Sequence, residues 1–300
     1  MYPCRLCGAV APLLASHVLP AFVFKALKGR APTGHIRQTD NPNRRVQDGV
    51  TQPWLCAACE SRFSAWERAF ANEVFHPWNN GVTFTRYSEW LLKFCVSVSW
   101  RVLIYSKGRN QDAVYTQPQE AACQQAERTW REFLLDQVAH PGPFTQQFVI
   151  FDLIESTTVS DLPDNINRYM MGAVSMDIVG SESSMWTWAK LGRFQLFGTI
   201  QANSKAFAGT KVHVRDGTLK PGTSVIPAGL IDLYREKAVQ ARSALASMSD
   251  AQIAKIDAAV EANIEKLATS PQFAAMQADA KMFGEQVILR GRTKAPKARS

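Results

Sequence analysis

Two Cys-x-x-Cys motifs, far apart in the sequence, constrain the fold of this chain most. The first runs from Cys4 to Cys7 and the second from Cys56 to Cys59. Zinc takes tetrahedral sulfur coordination, and each motif offers two sulfurs from one tight turn. A single motif of this kind is also typical of redox sites. The two together predict one structural zinc ion, which stabilises a segment too small to fold alone.

Composition sets the broad class of the protein. Six cysteines in 300 residues are too few for a disulfide scaffold, which favours a reducing compartment. The net charge of +8 favours an anionic partner. Nucleic acid is the commonest such partner, and an acidic protein or a membrane surface is the alternative. The same charge is also compatible with a mildly basic enzyme that has no such partner. With no signal sequence and no apolar run long enough to span a bilayer, we expect a soluble, cytoplasmic protein without a membrane partner.

The pattern of residues predicts an α+β protein in three regions, at residues 1–80, 81–225 and 226–300. In the first region, apolar residues at helical spacing predict a helix that ends at His76-Pro77; they are Phe63, Trp66, Phe70 and Val74. In the second, residues 85–105 predict a helix packed on several sides, and a further helix is expected over residues 118–138. Cys95 and Cys123 in these helices are interpreted as buried apolar residues.

The later part of the chain changes character twice. Residues 146–154, 172–180 and 192–201 predict strands of a small antiparallel sheet, and residues 185–188 (MWTW) a further strand. We interpret these tryptophans as core residues rather than as a platform for bases. From residue 226 the chain is predicted to be helical, with a capping box at Ser249–Gln252 and a second cap at Ser270-Pro271. The last twelve residues contain five basic residues and no acid, and they are interpreted as a solvated tail, with a nucleic-acid contact as the alternative.

A histidine lies between the two cysteine motifs in the sequence SHVLP, residues 16–20. The order of cysteine motif, histidine strand closed by a proline, and second motif followed by an acidic residue resembles the four-cysteine HNH (ββα-metal, treble-clef) nuclease family. The resemblance covers about residues 1–75. Glu60 takes the position where the family has Asn or His, and Ser16 the position before the histidine where the family commonly has Asp or Glu.

This resemblance implies metal-dependent hydrolysis of phosphodiester bonds. His17 would act as general base toward the attacking water. Glu60, and in a weaker role Ser16, would bind a catalytic Mg or Mn ion, because hard cations prefer oxygen ligands. The two departures from the family pattern leave open whether the carboxylate has moved across the site or the site has decayed. Glu67, about 10 Å farther along the helix, is expected to pair with an arginine instead.

Residues 21–48 are predicted to form a basic loop. Arginine matches phosphate oxygens bidentately, so the loop is a candidate nucleic-acid contact if it faces the cleft of His17. The alternative is a solvated basic loop. The candidate residues are Arg37, Arg44, Arg45 and Gln47.

Three functions follow from these patterns. The first is an HNH-like endonuclease that acts on nucleic acid, DNA more than RNA, and by analogy alone serves bacterial defence against phage. The second is a non-catalytic zinc module that binds nucleic acid, which Ser16 favours. The third is an adaptor that contacts a protein partner, or a second copy of the chain, through an apolar stripe on the C-terminal helices. The stripe comprises Ile253, Ile256, Val260, Ile264 and Leu267.

Overall fold

The structure, a computed structural model, describes residues 1–109, 115–201, 206–222 and 224–289. Its strands in chain order are β1 (Tyr2–Pro3), β2 (Val10–Ala11), β3 (Leu13–His17), β4 (Ile36–Arg37), β5 (Arg45–Val46), β6 (Thr51–Cys56), β7 (Thr85–Tyr87), β8 (Gln146–Ile150), β9 (Val174–Ser181), β10 (Ser184–Leu191), β11 (Phe194–Gln201) and β12 (Gly217–Leu219). Its helices are α1 (Ala21–Arg30), α2 (Ala57–Phe70), α3 (His76–Asn79), α4 (Glu89–Arg109), α5 (Gln117–Leu134), α6 (Ile166–Gly172), α7 (Gly229–Ala246), α8 (Asp250–Ala262), α9 (Ile264–Ala268), α10 (Pro271–Phe283) and α11 (Gln286–Leu289). A π-helical turn, Ala71–Phe75, joins α2 to α3.

Helix accounts for 47% of the chain and strand for 21%, and the sheets are antiparallel, which confirms the predicted α+β class. No helix within the described ranges is both long and apolar enough to cross a lipid bilayer. The basic residues of the predicted tail, from Arg290 to Arg299, lie outside the described part of the chain.

The chain forms two compact units, each built from separate segments. The first comprises residues 1–22, 49–150 and 174–227. The second comprises residues 23–48, 151–173 and the segment from residue 228 onward. The three regions expected from the sequence, with limits at 80 and 225, stay a prediction.

Helix α2 follows the predicted apolar spacing. Phe63, Phe70 and Val74 are buried, and Trp66 is partly buried. The predicted end at His76-Pro77 is wrong, since the chain continues through the π-helical turn into α3. Pro77 lies in the first turn of α3 and has no N–H to donate to the preceding turn, where the carbonyl oxygen of Glu73 accepts from Oγ1 of Thr85 at 3.3 Å.

Helix α4 lies in the core of the first unit and is buried on nearly every side, as its composition predicts. The predicted start at residue 85 is wrong, since Thr85–Tyr87 form β7 and pair with β12. Cys95 is fully buried within it, and Cys123 is buried in α5. Burial raises the pKa of both thiols, that of Cys123 to about 11, so they behave as small apolar side chains.

The predicted sheet has four antiparallel strands in the order β8-β11-β10-β9. Trp186 and Trp188 on β10 are buried, which confirms their interpretation as core residues. Phe70 stacks on Phe94 of α4, with ring centroids 4.1 Å apart, and meets Phe148 of the sheet edge-on. Aromatic packing therefore joins helices and sheet in one core.

Residues 21–48 are not a loop as predicted. Their first third is α1, and two residue pairs further on form the short hairpin of β4 and β5. The segment contains helix-favouring alanine, leucine and lysine, but its basic composition masks this signal. Lys28 of α1 donates to the carbonyl oxygen of Gln47, which ties the helix to the segment after the hairpin.

A buried aspartate of the second unit caps a helix from another segment. Asp279 of α10 accepts hydrogen bonds from the backbone N–H groups of Asn167 (2.8 Å) and Arg168 (3.2 Å) at the start of α6. It also pairs with the Nε of Arg168 at 2.9 Å. The first N–H groups of a helix have no acceptor within it, so this carboxylate satisfies them from outside.

The two predicted caps of the C-terminal helices differ in outcome. Ser270 accepts from the N–H of Phe273 at 3.1 Å and Pro271 follows it, which confirms the cap of α10. Ser249 precedes α8, but its side chain makes no capping hydrogen bond, so the predicted capping box is wrong. The Oδ1 of Asn43 takes the Ser249 N–H instead, and the Oε1 of Gln252 accepts from Arg37.

Candidate metal centre and adjoining site

Four thiols meet at the N-terminal end of the first unit. Cys4 and Cys7 lie in the turn between β1 and β2, where the N–H of Gly8 (φ +78°) donates to the Cys4 carbonyl at 2.8 Å. Cys56 ends β6, and Cys59 lies in the first turn of α2. The four sulfur atoms lie within 4.8 Å of one another.

These distances fit a tetrahedral metal site. Zinc–thiolate bonds of about 2.3 Å place tetrahedral sulfurs about 3.8 Å apart. The Sγ atoms of Cys7 and Cys56 are 3.8 Å apart, far beyond a disulfide bond of about 2.05 Å. All four cysteines are free thiols, so the predicted set can hold a metal such as zinc.

The thiols differ in how readily they ionise. Burial opposes ionisation of Cys4, but backbone N–H groups, including that of Cys56 at 3.4 Å, lower its pKa to about 7. Burial raises the pKa of Cys7 and, more strongly, that of Cys59. One sulfur is therefore poised to bind a metal as thiolate, and the metal charge would favour deprotonation of the others.

Beside the four thiols, a residue of β3 forms a hydrogen bond with a residue of α2. Ser16 of β3 is fully buried, and its hydroxyl donates to Oε2 of Glu60 at 2.6 Å. Glu60 follows Cys59 in the first turn of α2, so the cysteine that could bind the metal also fixes the position of the carboxylate. The structure thus brings together two of the predicted site residues, one from each side of the ββα unit.

His17 is the last residue of β3 and pairs with Thr51 of β6. Consecutive side chains of a strand alternate in direction, so Ser16, not His17, is the residue that reaches Glu60. The Nε2 of His17 is shielded from solvent. Its carbonyl oxygen accepts from Nη1 of Arg101 at 2.8 Å, which holds the end of the strand in place.

Arg101 is a site-forming residue that the sequence analysis missed. It lies in α4, it is 1% exposed, and its Nη1 also contacts Oε1 of Glu67 at 2.7 Å. The arginine partner expected for Glu67 is therefore present. The sequence signal for this role is the single arginine in the apolar run SVSWRVLIY, because an arginine that is buried needs hydrogen-bond acceptors.

The predicted basic residues belong to the second unit. Arg37 donates from Nη1 to the Pro42 carbonyl at 2.6 Å. Arg45 and Gln47 both contact His35, at 3.3 Å and 3.1 Å. Arg44 is exposed, and its N–H donates to the Asn41 carbonyl at 3.1 Å. Arg37, Arg44 and Arg45 thus lie within the hairpin of residues 36–46, and Gln47 directly follows it.

No protein-family model, no curated protein and no solved structure matches this chain.

Proposed function

We propose that the protein is a metal-dependent endonuclease of the HNH type, which hydrolyses phosphodiester bonds in nucleic acid, with DNA favoured. The support is the order of β3, β6 and α2 around four thiols, together with the residues that line this unit. The order is that of the family which the cysteine and SHVLP motifs resemble.

One observation carries the proposal, the 2.6 Å hydrogen bond between Ser16 and Glu60. In the family that the motifs resemble, the residue before the histidine commonly supplies a carboxylate. Here the hydroxyl of Ser16 takes that place, and α2 delivers the carboxylate of Glu60 to it. This contact favours the alternative in which the carboxylate ligand has moved from the strand to the helix, rather than the alternative in which the site has decayed.

Each part of the site has a role in this proposal. The four thiolates of Cys4, Cys7, Cys56 and Cys59 hold a structural zinc that fixes the start of α2. Glu60 and Ser16 offer the oxygen ligands that Mg or Mn prefers. Such an ion supplies charge stabilisation at the scissile phosphate. His17 takes the proton from the attacking water.

Cleavage of supercoiled plasmid with Mg or Mn tests this function. The variants Glu60→Gln and His17→Ala are expected to cut at least a hundredfold more slowly, since general-base and metal contributions are of that size or larger. Glu73→Gln, an exposed acid to neutral change on the π-helical turn, is the matched control and keeps full activity. Undiminished cleavage by His17→Ala would exclude His17 as the base.

The zinc content of each variant distinguishes loss of the structural metal site from loss of catalysis. Elemental analysis is expected to give one zinc per chain in the wild-type protein and in the Glu60→Gln and His17→Ala variants. Cys59→Ser is expected to lose the zinc, because three thiolates bind it far more weakly than four. A wild-type protein that retains no zinc during purification contradicts the scaffold.

A second candidate is a non-catalytic zinc module that binds nucleic acid or acts as an adaptor. Shielding of His17 Nε2 and the neutral hydroxyl of Ser16 favour it. The apolar stripe of α8 and α9 offers a protein surface, with Ile264 56% exposed. Binding of DNA without cleavage in the presence of any divalent ion would support this candidate.

A role in phage defence is proposed by analogy alone. Protection from phage in bacteria that express the wild-type protein, but not in bacteria that express Glu60→Gln, tests this role.

A further inference from the structure

Two arginines face each other across the β4–β5 hairpin of the second unit. Arg37 and Arg45 are direct partners in the antiparallel register. Side chains of such partners lie on the same face, and like charges placed directly opposite destabilise a sheet. Burial and the charge of Arg45 both lower the pKa of Arg37, in keeping with two guanidinium groups at close range.

The hydrogen bonds of these two guanidinium groups end on neutral acceptors within the described part of this unit. Arg37 donates to the Pro42 carbonyl and, at 3.1 Å, to Oε1 of Gln252. Arg45 contacts Nε2 of His35. These contacts hold both side chains in place without neutralising either positive charge. A site of this kind is complementary to an oxyanion, which a pair of guanidinium forks binds bidentately.

The imidazole of His35 orients two neighbours. Arginine only donates, so Nε2 of His35 accepts from Nη1 of Arg45 at 3.3 Å. On the other side of the ring, Nδ1 of His35 lies 3.1 Å from Nε2 of the Gln47 amide.

We propose that the β4–β5 hairpin is a binding site for one phosphate group, in which Arg37 and Arg45 hold the oxyanion and His35 positions Arg45 and Gln47. The proposal deepens the nuclease function and rests on it for the source of the phosphate, the nucleic-acid backbone. A free phosphate or a terminal phosphate has the same chemistry and is separated by the experiment below.

Calorimetric titration with inorganic phosphate tests the site. Arg45→Ala is expected to bind phosphate ten- to a hundredfold more weakly, the loss expected for one charged hydrogen-bonded contact. Lys25→Ala, which removes one exposed charge from α1 of the same unit, is the matched control and binds as the wild type does. Arg45→Lys is expected to recover only part of the affinity, because lysine lacks the planar fork.

Thermal unfolding without phosphate distinguishes this site from a merely structural contact. Removal of one of two facing like charges is expected to leave the melting temperature of Arg45→Ala unchanged or to raise it. His35→Phe is expected to weaken phosphate binding without any change in arginine content, and His35→Gln to restore part of it. A large drop in melting temperature of Arg45→Ala, with phosphate affinity unchanged, would overturn the proposal.

Oligonucleotides with 5′-phosphate or 5′-hydroxyl ends identify the source of the phosphate. They are used with the Glu60→Gln protein, so that cleavage does not enter the measurement. Equal affinity for both, with a salt slope reduced by about 0.7–0.9 in Arg45→Ala, supports the backbone. A preference for the 5′-phosphate that Arg45→Ala abolishes supports a terminal phosphate. If the protein does not cleave plasmid but Arg45→Ala still weakens phosphate binding, the nuclease function is refuted and the hairpin site is supported. If Arg45→Ala and Lys25→Ala bind phosphate equally well, the hairpin site is refuted and the nuclease function is unaffected.

Discussion

Arg101 Nη1 and Glu67 Oε1 lie 2.7 Å apart, and their side chains are 2% and 18% exposed. The same Nη1 contacts the carbonyl oxygen of His17 at 2.8 Å, and the guanidinium carbon lies 5.2 Å from the ring centre of Phe63. One cation of α4 therefore joins α2 to the end of the strand that carries the candidate base. The contacts of Arg101 therefore hold α2 and the end of β3 in their positions at the site.

Removal of the Glu67 charge is expected to destabilise the first unit. Glu67→Gln leaves the buried charge of Arg101 without its carboxylate, and breaking a buried pair in this way costs about 3–5 kcal/mol. Urea unfolding followed by tryptophan fluorescence measures the loss. Glu73→Gln, an exposed change of the same kind, is expected to alter the free energy of unfolding by less than about 0.5 kcal/mol. Equal stability of the two variants would show that Arg101 does not need this partner.

Two serines that precede helices are expected to differ in their effect on stability. The side chain of Ser270 caps α10 through the Phe273 N–H, so Ser270→Ala is expected to cost about 1 kcal/mol. Ser249 makes no side-chain cap, so Ser249→Ala is expected to be nearly neutral. Thermal unfolding of both variants compares them directly. A larger loss for Ser249→Ala would mean that the predicted capping box forms in solution.

A close approach of α4 to the sheet makes Gly198 sensitive to substitution. A Cβ at this position would lie 2.5 Å from the hydroxyl oxygens of Ser99 and Thr187, which are both buried. Gly198→Ala is expected to cost about 1–3 kcal/mol through overpacking, as measured by chemical denaturation. Gly229→Ala, where a Cβ meets no atom within 4 Å, is the control and is expected to be neutral or stabilising.

Acid stability is expected to depend on Asp136. A hydrogen bond from Lys93 and the nearby charge of Arg62 lower the pKa of this carboxyl below its usual 3.8, against the effect of partial burial. A lowered folded-state pKa contributes stability that is present above the usual value and lost as pH falls through the lowered one. Asp136→Asn is expected to be less stable at pH 7 by up to about 1 kcal/mol, and this gap closes as pH falls below the usual pKa of 3.8 and through the lowered one. Asparagine also tolerates the positive φ of 60° at this position. A gap that stays constant from pH 7 to pH 2 would contradict the assignment.

Local patterns in the sequence predicted much of the fold. The apolar run of α4, the face of α2 and the four strands of the sheet depend on side-chain periodicity, which is visible within a single window. The cap of α10 was equally local. Continuation past Pro77 was not predicted, because a proline in a first turn and a proline at a helix end look alike in sequence.

Other features depend on partners that are remote in sequence. Ser249 lacks its capping box because Asn43 takes the N–H that the box would use. Arg101 enters the site from α4, and the Arg37–Arg45 pair exists only once β4 meets β5. The four thiols were predicted, since motif spacing reports the ligand set. The contact between Ser16 and Glu60 was not, because it depends on how a strand and a helix pack.

Asp279 has a consequence for the order in which the molecule forms during synthesis. The N-terminal end of α6 receives its carboxylate acceptor only from α10, more than a hundred residues later in the chain. Until α10 has left the ribosome, the backbone N–H groups of Asn167 and Arg168 must donate to water or to transient acceptors. The second unit therefore reaches its native arrangement only after residue 279 has been synthesised, and a chain released before that residue would leave α6 without its cap.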